Sequence, residues 1–203
     1  MSSPSLTLTT FDDAVTFRDR VEPFLLREEA VNCVILGLIA NLIEAPRHYP
    51  EPPLLAAVEA DGAVVAAFLH TPPYRLNIST SDHPEAMDLA ATALHAAGYD
   101  VPGVNGPVPL ARAFADRWRA LTGRDWTELL ALRIFAAREI HPMPEVPGTL
   151  RRATYEDRPL LIEWFAAFAM DTGLAEEREQ LVRSVDSRLE SEHGGIWLWE
   201  VAG

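Results

Sequence analysis

Lysine is absent from this 203-residue chain: all 17 basic residues are arginine, set against 30 acids, for a formal net charge of −13. An acidic chain repels phosphate backbones, so nucleic acid is not expected as a partner, whereas a cationic amine is compatible with the charge. The plainer reading of that charge is solubility. Cysteine is almost absent too, and Cys33 alone cannot form an intrachain disulfide. It stands in a helical run with Val31, Val34, Ile35 and Leu38, which predicts a small buried hydrophobe. No apolar stretch reaches the roughly 18 residues of a membrane span. The best candidate, residues 30–43, is interrupted by Asn32 and Asn41. Residues 1–4 have neither a basic region nor an apolar run, so no signal peptide is expected and a cytoplasmic address follows. The histidines, His48, His70, His83, His95, His141 and His193, show no metal-ligand spacing, and no metal is expected. There is no Gly-x-Ser-x-Gly elbow. Gly103 and Gly106 are flanked by prolines and read as a turn, not as a dinucleotide fingerprint.

What is present is a globular composition, 48% hydrophobic and 23% charged. Residues 5–9 alternate as a strand. Thr10-Phe11-Asp12-Asp13 then reads as a helix start with Thr10 as N-cap. Ala14, Phe17, Val21, Phe24 and Leu25 share the inward face of that helix, which Pro23 should kink or divide. A second helix over 28–43 is apolar on much of its surface and is expected to be well buried. Residues 54–59 and 63–70 form a hairpin about Asp61-Gly62. A short strand over 75–79 follows, and then a helix opened by Pro84 and stopped by Gly98, with Met87, Ala90, Leu94 and Ala97 inward. Residues 101–109 form a loop with room for a very short strand. The next helix turns Leu110, Phe114, Trp118 and Leu121 inward and ends at Gly123. Residues 126–139 read as one long strand or as two strands at a kink.

Pro142, Pro144 and Pro147 mark residues 141–148 as a linker between a first domain, 1–140, and a second, 149–203. Beyond the linker the pattern restarts. A strand over 149–153 leads to Thr154-Tyr155-Glu156-Asp157, which repeats the first helix start at an offset of 144. A helix with Leu160, Leu161, Trp164, Phe165 and Phe168 inward carries Pro159 in its first turn. A second helix carries Leu181, Val182, Val185 and Leu189, with Glu176-Glu177-Arg178-Glu179 on an exposed face. A strand over 195–200 places Trp197 and Trp199 on one face, expected to pack the core. It ends in Glu200-Val201-Ala202-Gly203, repeating Glu59-Ala60-Asp61-Gly62 at an offset of 141. Two matches at the same stage of one element order argue for an internal repeat with a partial second copy.

The phrases Glu29-Ala30-Val31-Asn32 with Leu36-Gly37-Leu38, Ala57-Val58-Glu59-Ala60-Asp61-Gly62 and Pro102-Gly103-Val104-Asn105-Gly106-Pro107 resemble the GNAT superfamily of N-acetyltransferases. The likeness is to a bacterial branch with two GNAT-like halves in tandem. Leu150-Arg151-Arg152-Ala153 through Trp164 and Phe168 to Leu198-Trp199-Glu200 is similar to the opening of its catalytic half. The resemblance implies an α/β fold with a mixed sheet, and acetyl transfer from acetyl-CoA to a small-molecule or peptide amine. In this superfamily the pyrophosphate sits on backbone N–H groups where the fourth strand turns into the third helix, with the sequence mark Gln/Arg-x-x-Gly-x-Gly/Ala. The first half departs from that mark. Its turn, residues 77–84, has no glycine and puts Asp82 where phosphates would go, so it is expected to be a degenerate copy without CoA. The equivalent loop of the second half is not within the 203 residues, and no catalytic or cofactor-binding residue is assigned. By resemblance Trp164, Phe168, Asp171 and Glu200 would line the acceptor pocket; the plainer reading makes the aromatics core and the acids solvated. Three expectations follow: the N-terminal portion of an acetyltransferase whose active half is cut short, a non-catalytic module for dimerisation or small-ligand binding, or an enzyme that completes its sheet by exchange in a homodimer.

Overall fold

The computed structural model describes residues 5–44, 49, 51–142, 145–173, 177–191 and 194–201. The chain divides into two compact units, Met1–Arg138 and Glu139–Gly203.

The first unit is organised by its hairpin. Asp61 and Gly62 both take positive φ, 49° and 80°, the backbone that a two-residue turn matched to strand twist requires. Strands β2 (Leu54–Ala60) and β3 (Ala63–His70) pair across it. With β1 (Leu6–Phe11), β4 (Leu76–Ile78) and β5 (Val104–Asn105) they form a sheet in the order β1-β2-β3-β4-β5. The first three pairings are antiparallel and β4–β5 is parallel. A bulge at Val58/Glu59 leaves Val65 without a cross-strand partner, so Val64 and Ala66 face opposite sides of the sheet. On one side Leu55, Ala57, Ala67 and Leu69 pack against α1 (Ala14–Leu25) and α2 (Glu29–Glu44). On the other, Ala56, Val58, Phe68 and Ile78 pack against α3 (Glu85–Ala96) and α4 (Val108–Thr122). The result is a mixed α/β architecture with helices on both faces of the sheet.

Several local expectations are corrected. Thr10 is not a cap: it pairs with Ala56 as β1 runs on to Phe11, and Asp13 caps α1 by accepting from the Thr16 amide at 2.8 Å. Pro23 lies inside α1, and the break falls in the 3-10 turn Leu26–Glu28. Only one stripe of α2 is buried, Asn32, Ile35, Ile39 and Leu42. Its opposite stripe, with Val31, Val34 and Cys33, is exposed, because one helix packing on one sheet face covers one stripe. Ala97 is exposed at the end of α3. Residues 126–139 form no strand; Leu132 is 77% and Phe135 87% exposed. Ladder partners are few there, since β5 has two residues, and the segment is built mostly of Leu, Ala, Arg and Glu, with few β-branched residues.

The second unit pairs β6 (Thr149–Arg152) with β7 (Trp197–Glu200) in antiparallel register, Leu150 opposite Trp199. Thr154 and Asp157 form a capping box about the 3-10 turn Tyr155–Asp157. Helices α5 (Arg158–Thr172) and α6 (Arg178–Glu190) cover one face of this ribbon, burying Ala153, Leu161, Ile162, Val185 and Leu198. The facing of α5 and β7 is the opposite of that expected. Leu198 turns to the helices, so pleating sends Trp197 and Trp199 outward, 60% and 51% exposed. Helix α5 is apolar on two stripes, and the one with Leu161, Ile162 and Ala169 is buried. Leu160, Trp164 and Phe168 stay on the outer stripe. Glu176, Ala202 and Gly203 of the expected motifs, and Met143 and Pro144 of the linker, lie outside the described residues. Among the described residues no helix is long and apolar enough to cross a membrane.

Candidate functional site

In a sheet with one parallel junction, a ligand is expected beyond the carboxyl end of the strand that enters the crossover, at the N-terminus of the following helix. Here that place is the turn from β4 to α3. Its donors are occupied. The Thr80 amide donates to Asn32 Oδ1 at 3.0 Å and the His83 amide to Ser81 Oγ at 3.0 Å. Ala86 and Met87 donate to the His83 and Pro84 carbonyls. The Glu85 carboxyl is held below its usual range by its own backbone N–H and then by His83, whose Nδ1 lies 3.0 Å away. With Asp82 also exposed in the turn, an arriving phosphate meets carboxylates and spent amides.

The rest of this seam is polar but closed. Ser79 Oγ accepts from the Ala67 amide at 2.8 Å and donates to the Thr80 carbonyl at 2.8 Å. Asn32, on α2, donates to the Leu25 carbonyl at 3.0 Å and to Thr80 Oγ1 at 3.2 Å. Asn77 is buried beside β3 and donates to the Leu69 and Arg75 carbonyls. The gap between β4 and β5 is filled by backbone. A Cβ on Gly106 would stand 2.9 Å from the Ile78 carbonyl oxygen, so only glycine fits that close approach.

In the second unit Arg151 is the electrostatic hub. Its guanidinium meets Asp157 bidentately, 2.7 Å on each arm, and Glu200 at 2.8 Å. Arg151, and then the Thr154 amide, hold the Asp157 carboxyl far below the usual carboxylate range. Arg151 also holds Glu200 down, partly opposed by Asp157. Arg158 is bidentate to Asp186 at 2.6 and 2.9 Å, tying α5 to α6. A depressed carboxylate contributes stability that is present above its unfolded pKa, near 4, and is lost as pH falls through the folded value. The melting temperature of the second unit is therefore expected to drop as pH is lowered below about 4. Asp157→Asn should lower it at neutral pH and flatten that dependence; an unchanged acid slope in the variant would sink the assignment.

Trp164, Phe168 and Asp171 share the outer stripe of α5, the two aromatics 56% and 63% exposed. They are neither core, as the plain reading had it, nor walls of an enclosed pocket among the described residues. Glu200 sits on β7, held by Arg151; no hydrogen bond, ion pair or ring contact joins it to the α5 stripe. Asn32 and Ser79 were not singled out from the sequence as site residues. The available signal was a single amide inside an otherwise uncharged helical run. Among the described residues no three His, Cys, Asp or Glu converge as a metal site. No family model, curated protein or solved structure matches the chain.

Proposed function

We propose that the chain carries two GNAT-like units serving acetyl-CoA-dependent transfer of an acetyl group to an amine, with the first unit as a non-catalytic scaffold. The observation that carries the reading is the order of the first sheet. A helix pair separates its first two strands, and its fourth strand turns into the third helix at the one parallel junction, where the GNAT resemblance puts the pyrophosphate. That anion site is closed by Asn32, Glu85 and Gly106, which supports a scaffold role.

The second unit repeats strand, helix pair and antiparallel strand, and its counterparts favour one acceptor surface. In the first unit Arg20 of α1 reaches across to Glu59 at 2.7 Å and to the Gly62 carbonyl at 2.5 Å. At the repeat offsets Trp164 stands for Arg20, and Glu200 for Glu59. A tryptophan face and a carboxylate at those positions suit a cationic amine. A second reading, a non-catalytic module for dimerisation, is favoured by the bare tryptophans of β7.

Two measurements test this. With millimolar acetyl-CoA the first unit should show no thermal shift. A ligand at 100 times its Kd would add about 2.7 kcal/mol, and a clear shift would overturn the scaffold assignment. In an NMR titration with spermidine, the Trp164 indole signal should move and Trp164→Ala should abolish binding. An unmoved Trp164 signal would remove the acceptor surface and leave the module reading.

A further inference from the structure

β7 has one paired edge and one open edge among the described residues. The Ala153 amide donates to the Ile196 carbonyl at 2.8 Å, which fixes the phase of the ladder between β6 and β7. Residues 196, 198 and 200 spend their backbone groups on β6, and Trp197 and Trp199 point theirs toward the open edge. None of the usual edge protections is present over residues 196–201: there is no proline, no lysine and no inward charge. The first unit shows what such a strand takes up. β2, which follows a helix pair as β7 does, has antiparallel neighbours on both edges.

We propose that the open edge of β7 binds β7 of a second copy of this chain, antiparallel about a two-fold axis at Leu198. One register satisfies both constraints of the strand with the most overlap. Trp197 opposite Trp199 of the second copy, and the reverse, pairs the outward amides and keeps the pleats in phase. Leu198 of both copies then stays on the helix side. The four tryptophans share the other face, in two cross-strand pairs of the kind that stabilise sheets. The charges fit as well. The strand's one charge, Glu200, is neutralised by Arg151 of its own β6 and faces Ile196 of the second copy, so a net charge of −13 does not oppose the contact at the strand. Arg152, on the tryptophan side, is folded back onto the Ser191 and Gly194 carbonyls. The pairing extends the β6–β7 ribbon into a four-stranded sheet with closed symmetry. It stands apart from acetyl transfer and survives if that reading fails.

The test is sedimentation of the 203-residue chain across a concentration series, with hydrogen exchange at the Trp197 and Trp199 amides. The expected species has twice the 22.4 kDa chain mass, dissociates on dilution, and protects both amides. Trp197→Pro removes one outward N–H and should give a monomer with an unchanged far-ultraviolet spectrum. Trp197→Lys, which keeps the strand, should weaken the dimer at least tenfold and covers the case in which the proline variant misfolds. A monomer at every concentration, unprotected amides in the dimer, or a dimer indifferent to Trp197→Lys would each overturn the proposal.

Discussion

Replacing Phe68 with alanine is expected to destabilise the first unit by about 3–5 kcal/mol, near the top of the range for core truncation. The ring is fully buried on β3, with Ala56 opposite it on β2 and Ile78 opposite it on β4. What makes this site severe is the size of its neighbours. Ala56 and Ala66 line the same sheet face, and Ala86, Ala90 and Ala91 bring α3 close to it. Alanines have no rotamers with which to collapse into a void, so most of the ring volume would persist as a cavity and add to the lost transfer energy. A leucine-rich wall would relax and soften the loss. Urea unfolding followed by circular dichroism gives the comparison. Phe135→Ala, at a side chain 87% exposed, should change stability by less than about 0.5 kcal/mol. If Phe68→Ala cost no more than Phe135→Ala, the packing of α3 on the sheet described above would be wrong.

What could be read from the sequence was the locally determined part. The Asp61-Gly62 turn carries its own backbone requirement, and the Thr154–Asp157 box closes within four residues; both are found as expected. Where two local signals competed, the longer-range one won. Thr10 had the chemistry of a cap, but its strand pairing with Ala56 held it in β1, and Asp13 took the role. Facing was the harder problem. In Ile196-Trp197-Leu198-Trp199 both pleat faces are apolar, so alternation alone does not tell which turns to the helices. The same holds for α5, where Leu161 and Trp164 lie on different apolar stripes and one helix layer covers one of them. Residues 126–139 carried hydrophobicity without a strand's β-branched composition, and hydrophobicity alone does not supply a pairing partner. In the site, Asp82 and the missing glycine were legible because they are consecutive in the turn. The closure by Asn32 was not, since its partner Thr80 is 48 residues away.

Asn32→Leu is the second large effect expected, about 2–4 kcal/mol in the first unit, on roughly 1–3 kcal/mol for each buried polar group left unpaired. The substitution nearly conserves volume, so packing is not what it removes. It deletes the donor to the Leu25 carbonyl and the acceptor of the Thr80 amide in one step. Both partners are backbone groups fixed by their own elements, the end of α1 and the exit of β4, and neither can swing out to water without loosening its element. The strain should therefore spread along the seam. Ser79, which holds the Ala67 amide and the Thr80 carbonyl, is the next tie, and amide exchange at Ala67 and Thr80 should quicken together in the variant. Asn41→Leu, on the exposed side of the same helix, is the matched control and should be close to neutral. Helix propensity would favour leucine over asparagine at either position, so a loss confined to position 32 comes from the hydrogen bonds. If Asn32→Leu left stability and the Thr80 amide unchanged, the turn from β4 to α3 would not be closed by α2, and its amides would again be open to an anion.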